Sequence, residues 1–136
     1  MPDYNRKILV AEDCPITRKM IRGLLRNMGY NNIDMAEDGV VGWQLLTKNK
    51  YDFLITDWHM PNRDGIELLR GVRQHPHLKH IPVLMLTSET EKDNIIEAIQ
   101  AGVTGYVIKP FALGVLEQKL RTAFDTMDAM AQGPAR

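Results

Sequence analysis

Glu12 and Asp13, Asp57, Thr87 and Lys109 lie far apart in the chain, yet each directly follows a short apolar run. The runs are Ile8-Leu9-Val10-Ala11, Phe53-Leu54-Ile55-Thr56, Val83-Leu84-Met85-Leu86 and Tyr106-Val107-Ile108. If these are strands of one sheet, three carboxylates, one hydroxyl and one ammonium converge on a single edge. Neighbouring strands lie about 4.8 Å apart, so carboxylates ending adjacent strands repel each other. Lys109 supplies one fixed positive charge, which does not offset three carboxylates. Oxygen ligands without His or Cys companions favour a hard cation, with Mg2+ the abundant candidate and Mn2+ a substitute. The chemistry follows from charge. A carboxylate attacking a phosphoryl group brings two anions together. A metal bridging their oxygens, with an ammonium on a third, stabilises the charge on the transferring group. Thr87 can donate a hydrogen bond to a phosphoryl oxygen. Asp57 can act as a covalent nucleophile and become an acyl phosphate.

Helical stretches separate the runs. From Pro15 to Met28, Ile16, Met20, Leu24 and Met28 recur at four-residue steps beside Ile21 and Leu25, which predicts a helix with that stripe inward. Pro15 suits its first turn and Gly29 its stop. Ile33 and Met35 alternate with polar residues, as in an edge strand. Asp38 is placed to cap a helix running to about Lys48. After Asp57 comes a loop with Pro61 and Asp64-Gly65, then a helix carrying Ile66, Leu69 and Val72 that ends at His75-Pro76. A fourth helix covers Glu91 to Ala101, with Gly102 beyond its end. The last runs from Ala112 to about Met127, with Leu113, Leu116, Leu120, Ala123 and Phe124 on its inner stripe. Five repeats of strand then helix predict an α/β fold, an open parallel sheet with helices on both faces. Ligands of such sheets bind outside the carboxyl ends of the strands, where the residues above fall.

The length, 136 residues, suits one domain. Seventeen basic residues balance seventeen acidic ones, which argues against the clustered charge that nucleic-acid binding needs. No apolar run approaches the roughly 20 residues of a membrane span. The polar start, Met1 to Asn5, shows no signal peptide, and a single cysteine, Cys14, cannot form an internal disulfide. A cytoplasmic monomer is expected.

Taken together, Glu12-Asp13, Asp57, Thr87-Ser88 and Lys109-Pro110 at successive strand ends resemble the receiver domains of two-component signalling. Three longer runs are similar to chemotaxis-type receivers: Asp57 to Gly65, Glu37 to Val40 and Ala101 to Phe111. The resemblance covers about residues 5 to 127 and implies one receiver domain over 1–136, with 129–136 a frayed tail. It implies a doubly wound, flavodoxin-like sheet of order 2-1-3-4-5; that order belongs to the resemblance, not to the spacing. It makes Asp57 the phosphoacceptor. On this resemblance Asp13, Asp57 and the His59 backbone carbonyl would hold Mg2+. Glu12 stands where many relatives have Asp, reaching the metal directly or through water. The resemblance further implies that Thr87 and Lys109 contact the phosphoryl group, that the Lys109–Pro110 bond is cis, and that Tyr106 is the aromatic that rotates on activation. The fourth helix, fifth strand and fifth helix form the output face, with Lys92, Ile95, Tyr106, Ile108 and Lys119 on it. His59 and Glu89, two residues beyond Asp57 and Thr87, border the phosphoryl pocket and tune its lifetime.

Each residue alone has a plainer reading. A strand-end Asp is usually a solvated turn residue, Tyr106 a half-buried strand aromatic, Ile95 core and Lys92 solvated. Trp58 reads as packing beside the site, Trp43 as helix packing, and the eight methionines as core filler. Cys14 at a helix start, but beside two carboxylates, reads as an inert thiol. His75, His77 and His80 read as surface loop. The match of five residues at four strand ends together favours the receiver. Its phosphodonor would be a CheA-like histidine kinase, its output partner a flagellar motor switch protein or another protein, with a phosphatase as a further partner. The rival within the family is a phosphorelay shuttle or phosphate sink. An aspartate-based phosphohydrolase would need Asp-x-Asp after the first strand, and a flavin protein a neutral phosphate loop there; Glu12-Asp13-Cys14-Pro15 is neither. Beyond self-phosphotransfer and autodephosphorylation no enzyme activity is expected.

Overall fold

The computed structural model describes residues 3–88 and 92–131, apart from the side chains of 92, 93 and 131. The chain alternates β1 (Ile8–Ala11), α1 (Pro15–Asn27), β2 (Ile33–Ala36), α2 (Gly39–Lys48), β3 (Phe53–Asp57), α3 (Gly65–Gln74), β4 (Val83–Thr87), α4 (Lys92–Gln100), β5 (Gly105–Ile108) and α5 (Leu113–Ala131). All neighbouring strands are parallel, in the order β2-β1-β3-β4-β5. The flavodoxin-like α/β sheet implied above is therefore the fold, with β2 at an edge.

Successive strand side chains point to opposite faces, so each buried strand feeds two cores. Leu9, Leu54, Val83 and Met85 pack with Leu46, Leu68, Leu69 and Val72 of α2 and α3. Ile8, Phe53, Ile55 and Leu84 pack on the other face with Ile21 and Leu25 of α1 and Leu116, Leu120 and Phe124 of α5. Truncating a buried Leu such as Leu68 to Ala costs about 2–5 kcal/mol, because the cavity collapses only partly.

Helix starts follow local chemistry. The Asp38 carboxylate accepts from the Val41 amide at 2.8 Å and caps α2. Asp64 and Glu67 form a reciprocal capping box at the start of α3. Gly29 and Gly102, at φ 104° and 92°, turn the chain out of α1 and α4 as only glycine does readily.

Three expectations need correction. The inward stripe of α1 is Ile21, Leu24 and Leu25; Ile16 is 71% and Met20 42% exposed. Leu113 is exposed at the first position of α5. That helix also runs past Met127 to Ala131, so residues 129–131 are helical, not frayed. An ion pair between Arg6 and Asp128 ties its end to the segment before β1.

Candidate active site at the carboxyl edge of the sheet

The sheet order sets β1 beside β3 and β3 beside β4, so the residues that end them must meet. Ligand oxygens of Glu12, Asp13 and Asp57 all lie within 4.8 Å of one another. Among the described residues no other group of acidic, His or Cys side chains is gathered this closely. Lys109 reaches in from the end of β5. Its Nζ is 2.7 Å from Glu12 Oε1 and 3.3 Å from Asp57 Oδ1. The backbone helps to aim it, since the Lys109 amide donates to the Thr87 carbonyl at 2.6 Å. The Lys109–Pro110 bond is cis.

The carboxylates are not equivalent. Glu12 is fully buried and Asp57 nearly so, whereas Asp13 is exposed. Glu12 Oε2 also accepts from the Cys14 amide at 3.3 Å, so both its oxygens have protein partners. Burial is the largest influence on Glu12. With the charge of Asp57 and a bond from Asp13, it outweighs Lys109 and pushes the Glu12 pKa up to about 7. For Lys109, burial works to lower the pKa, but Glu12 and Asp57 together raise it and keep the ammonium charged. Asp57 Oδ1 accepts from the Trp58 amide at 3.0 Å as well as facing Lys109. Among the described residues its Oδ2 has no hydrogen bond or ion pair.

The loop after β3 is held tightly. The Gly65 amide donates to the Trp58 carbonyl at 2.7 Å. A Cβ on Gly65 would lie 2.0 Å from the Asp57 carbonyl oxygen, so only glycine permits this approach. A Cβ on Gly39 would lie 1.9 Å from the Arg63 carbonyl oxygen, which presses the start of α2 against the same loop. Asn62, at φ 70°, donates to Asp38 Oδ2 at 2.9 Å. Asp13, His59, Met60, Pro61 and Asp64 line an open cleft beside the carboxylates, with the His59 side chain exposed.

Thr87 is buried, and with Trp58, Asn94, Ile95, Ala98 and Tyr106 it lines a crevice too narrow for water. Tyr106 and Ile95 are half-buried against it, while Ile108 and Lys119 are exposed. Trp58 packs in the core beside the site, as expected, and Trp43 stacks under Arg63, 4.6 Å from ring to guanidinium. Glu89 and the side chain of Lys92 lie outside the described residues. Cys14 is exposed, its thiol pKa lowered by the Thr17 hydroxyl and the Thr17 and Ile16 amides against the charge of Glu12.

Sequence reasoning missed Arg18. Its guanidinium donates to the Glu12 carbonyl at 2.7 Å and so fixes the turn between β1 and α1. A basic residue in the first turn of a helix, where the dipole disfavours it, was the available signal. It also missed Asn62, whose role depends on a left-handed turn that local composition does not reveal.

The residues present fit a divalent ion. Their donors are oxygens only, and three carboxylates face one ammonium, which leaves the edge short of positive charge.

Residues 8–121 match the family described as the response regulator receiver domain. The chain is 48% identical to the chemotaxis protein CheY of Pseudomonas aeruginosa over 90% of its own length and 98% of the relative. Its fold superposes on the chemotaxis response regulator CheY4 of Vibrio cholerae with a TM-score of 0.80 at 32% identity, covering 87% of this chain and 98% of that one. It is similar too to the receiver domain of a Pseudomonas aeruginosa sensor histidine kinase whose structure has a magnesium ion coordinated in the active-site cleft. There the TM-score is 0.76 at 27% identity, over 87% of this chain and 96% of that one. Among the described residues, no helix is long and apolar enough to cross a membrane.

Proposed function

Because the chain belongs to the response-regulator receiver family, we propose that it takes a phosphoryl group from a histidine kinase onto Asp57 in a Mg2+-dependent transfer, and that the modification switches a protein-binding face in chemotaxis control. The observation that carries this reading is the Asp57 carboxylate. One oxygen is held by Lys109 and the Trp58 amide, the other has no hydrogen bond or ion pair among the described residues, and two more carboxylates lie within 4.8 Å. We read residues 1–136 as one receiver domain acting in the cytoplasm.

Asp57 Oδ2 attacks the phosphorus of a phosphohistidine, the phosphorus–nitrogen bond breaks, and its electron pair leaves with the imidazole. The product is an acyl phosphate on Asp57. Asp13, Asp57 and the His59 carbonyl would hold Mg2+, with Glu12 directly or through water. When bound, the ion supplies charge neutralisation for the transferring group. Lys109 already bridges Glu12 and Asp57, and stabilises the negative charge that gathers as the phosphoryl group arrives. Thr87 donates its hydroxyl to a phosphoryl oxygen.

That hydroxyl borders the same crevice as Ile95 and the Tyr106 ring. A pull on Thr87 therefore changes the space open to Tyr106. The result is a population shift between two packings, biased by the contacts that the phosphoryl group makes in each. Ile95, Tyr106, Ile108 and Lys119, with Lys92, would present the altered face to a motor switch protein. Support for the chemotaxis role is the 48% identity to a chemotaxis protein over nearly its whole length.

In a motile host, deleting the gene should abolish directional switching. Wild type should restore it and Asp57→Asn should not. Normal switching in the deletion strain would contradict the motor role and leave the phosphorelay or phosphate-sink reading.

A further inference from the structure

The chain between β3 and α3 is pinned at two places. At its base the Gly65 amide donates to the Trp58 carbonyl at 2.7 Å. At its tip it is fastened to α2, a helix that carries no residue of the site. Asn62, held at φ 70°, donates its side-chain amide to Asp38 Oδ2 at 2.9 Å. The other oxygen of Asp38 caps α2 at the Val41 amide, so the helix start and the loop tip share one anchor. The Arg63 amide donates to the Pro61 carbonyl at 2.8 Å, and the Arg63 carbonyl presses on Gly39. The Arg63 guanidinium lies over the Trp43 ring, 4.6 Å from its centroid. Between base and tip come His59, Met60 and Pro61, which line the cleft beside Asp13.

The stack is built into the fold. Trp43 is half-buried, packs on the core under α2 and α3, and meets His75 edge-on at 6.0 Å, so its ring is a fixed platform. Helix α3 leaves room for it: a Cβ on Gly71 would lie 2.9 Å from both the Trp43 ring and the Arg63 guanidinium. Asp64 and Glu67 follow Arg63 closely, yet among the described residues Arg63 forms no ion pair; its guanidinium donates instead to the Glu67 carbonyl at 3.4 Å. A backbone carbonyl cannot be re-aimed by a change of rotamer. A metal ligand of that kind is only as well placed as its loop.

We propose that Arg63 and Trp43, with Asn62 and Asp38, are positioning residues through which α2 sets the Mg2+ affinity of the site, by holding the loop in the shape that presents the His59 carbonyl. This rests on the reading of the cleft as a Mg2+ site. An unlatched loop occupies that shape for a smaller fraction of the time, and the apparent dissociation constant rises by the inverse of the fraction.

The test is a Mg2+ titration of the 15N-labelled full chain, read at the amides of Trp58, His59 and Asp64. Arg63→Met keeps the stem and removes the charge. It should weaken binding roughly two- to fivefold, the bias that one exposed cation–π contact gives, and Arg63→Lys should restore most of it. Asn62→Gly permits the left-handed backbone but deletes the tether, and should weaken binding similarly. Arg63→Met combined with Trp43→Leu should cost no more than Trp43→Leu alone, because both break one contact. In metal-free Trp43→Leu the Arg63 amide should exchange with solvent faster than in wild type, with the Gly65 amide unchanged. At saturating Mg2+ the rate of phosphoryl gain from acetyl phosphate should return to that of wild type. Amides of β2 and α5 report that each variant is folded. No saturable Mg2+ response in wild type overturns the metal reading itself. Wild-type binding with equal affinity in Arg63→Met and Asn62→Gly overturns the latch alone. So do additive losses in the double variant, an Arg63→Lys protein no better than Arg63→Met, unchanged Arg63 exchange, or a rate that stays low at saturating Mg2+.

Discussion

Glu12 makes the metal-free protein less stable as pH rises, a direction opposite to that of most paired carboxylates. Its pKa is 4.5 in an unperturbed chain and about 7 in the fold, raised chiefly by burial. Between those values the folded state binds more protons than the unfolded one. The stabilising term is thus fully present below about pH 4.5 and is lost as pH rises through 7. One pKa unit corresponds to about 1.4 kcal/mol, so the whole term is at most about 3 kcal/mol. The comparison is wild type against Glu12→Gln, which keeps an oxygen for Lys109 and removes the titration. Urea unfolding between pH 5 and 8, with a chelator present, should show wild type losing stability relative to the variant. Mg2+ should reverse much of that loss at the high end, where Glu12 is ionised. An ion at a hundred times its dissociation constant adds about 2.7 kcal/mol. Parallel pH profiles for the two proteins would refute the burial argument for Glu12.

Removing the exposed carboxylate in Asp13→Ala should weaken Mg2+ binding more than Glu12→Ala does, because both Glu12 oxygens already have protein partners; Trp58 fluorescence in a Trp43→Phe background reads the titration. Asp64→Ala should destabilise the fold by about 1 kcal/mol through loss of the α3 cap, measured by denaturant midpoint. On the output face, beryllofluoride should tighten binding of the switch protein to wild type, and Ile95→Ala and Tyr106→Ala should reduce that gain; no gain in wild type, or full gain in both variants, would remove this face from the account.

The strand ends were legible because parallel strands buried on both faces read as continuous apolar runs, and the next residue marks the edge. That pattern placed Glu12, Asp57, Thr87 and Lys109 at one edge of the sheet without any coordinate. It could not show that Glu12 would be buried and Asp13 exposed, since adjacent residues diverge by a local turn. The α1 stripe failed for a geometric reason. Four residues advance a helix by about 400°, so a four-step row drifts about 40° each time and cannot stay on one face. Ile16 and Leu24 therefore point apart, and the core takes Ile21, Leu24 and Leu25. Near the end of α5, Asp128 pairs with Arg6, a tertiary contact that no local window contains. The positions of Arg18 and Asn62 likewise depend on contacts between segments, 2.7 Å to the Glu12 carbonyl and 2.9 Å to Asp38.

The central claim is that Asp57 is the phosphoacceptor. Intact-mass measurement after incubation with acetyl phosphate and Mg2+ tests it most directly. Wild type should gain one phosphoryl group, Asp57→Asn none, and chelating the metal should prevent the gain. Robust incorporation into Asp57→Asn at another residue would contradict the assignment.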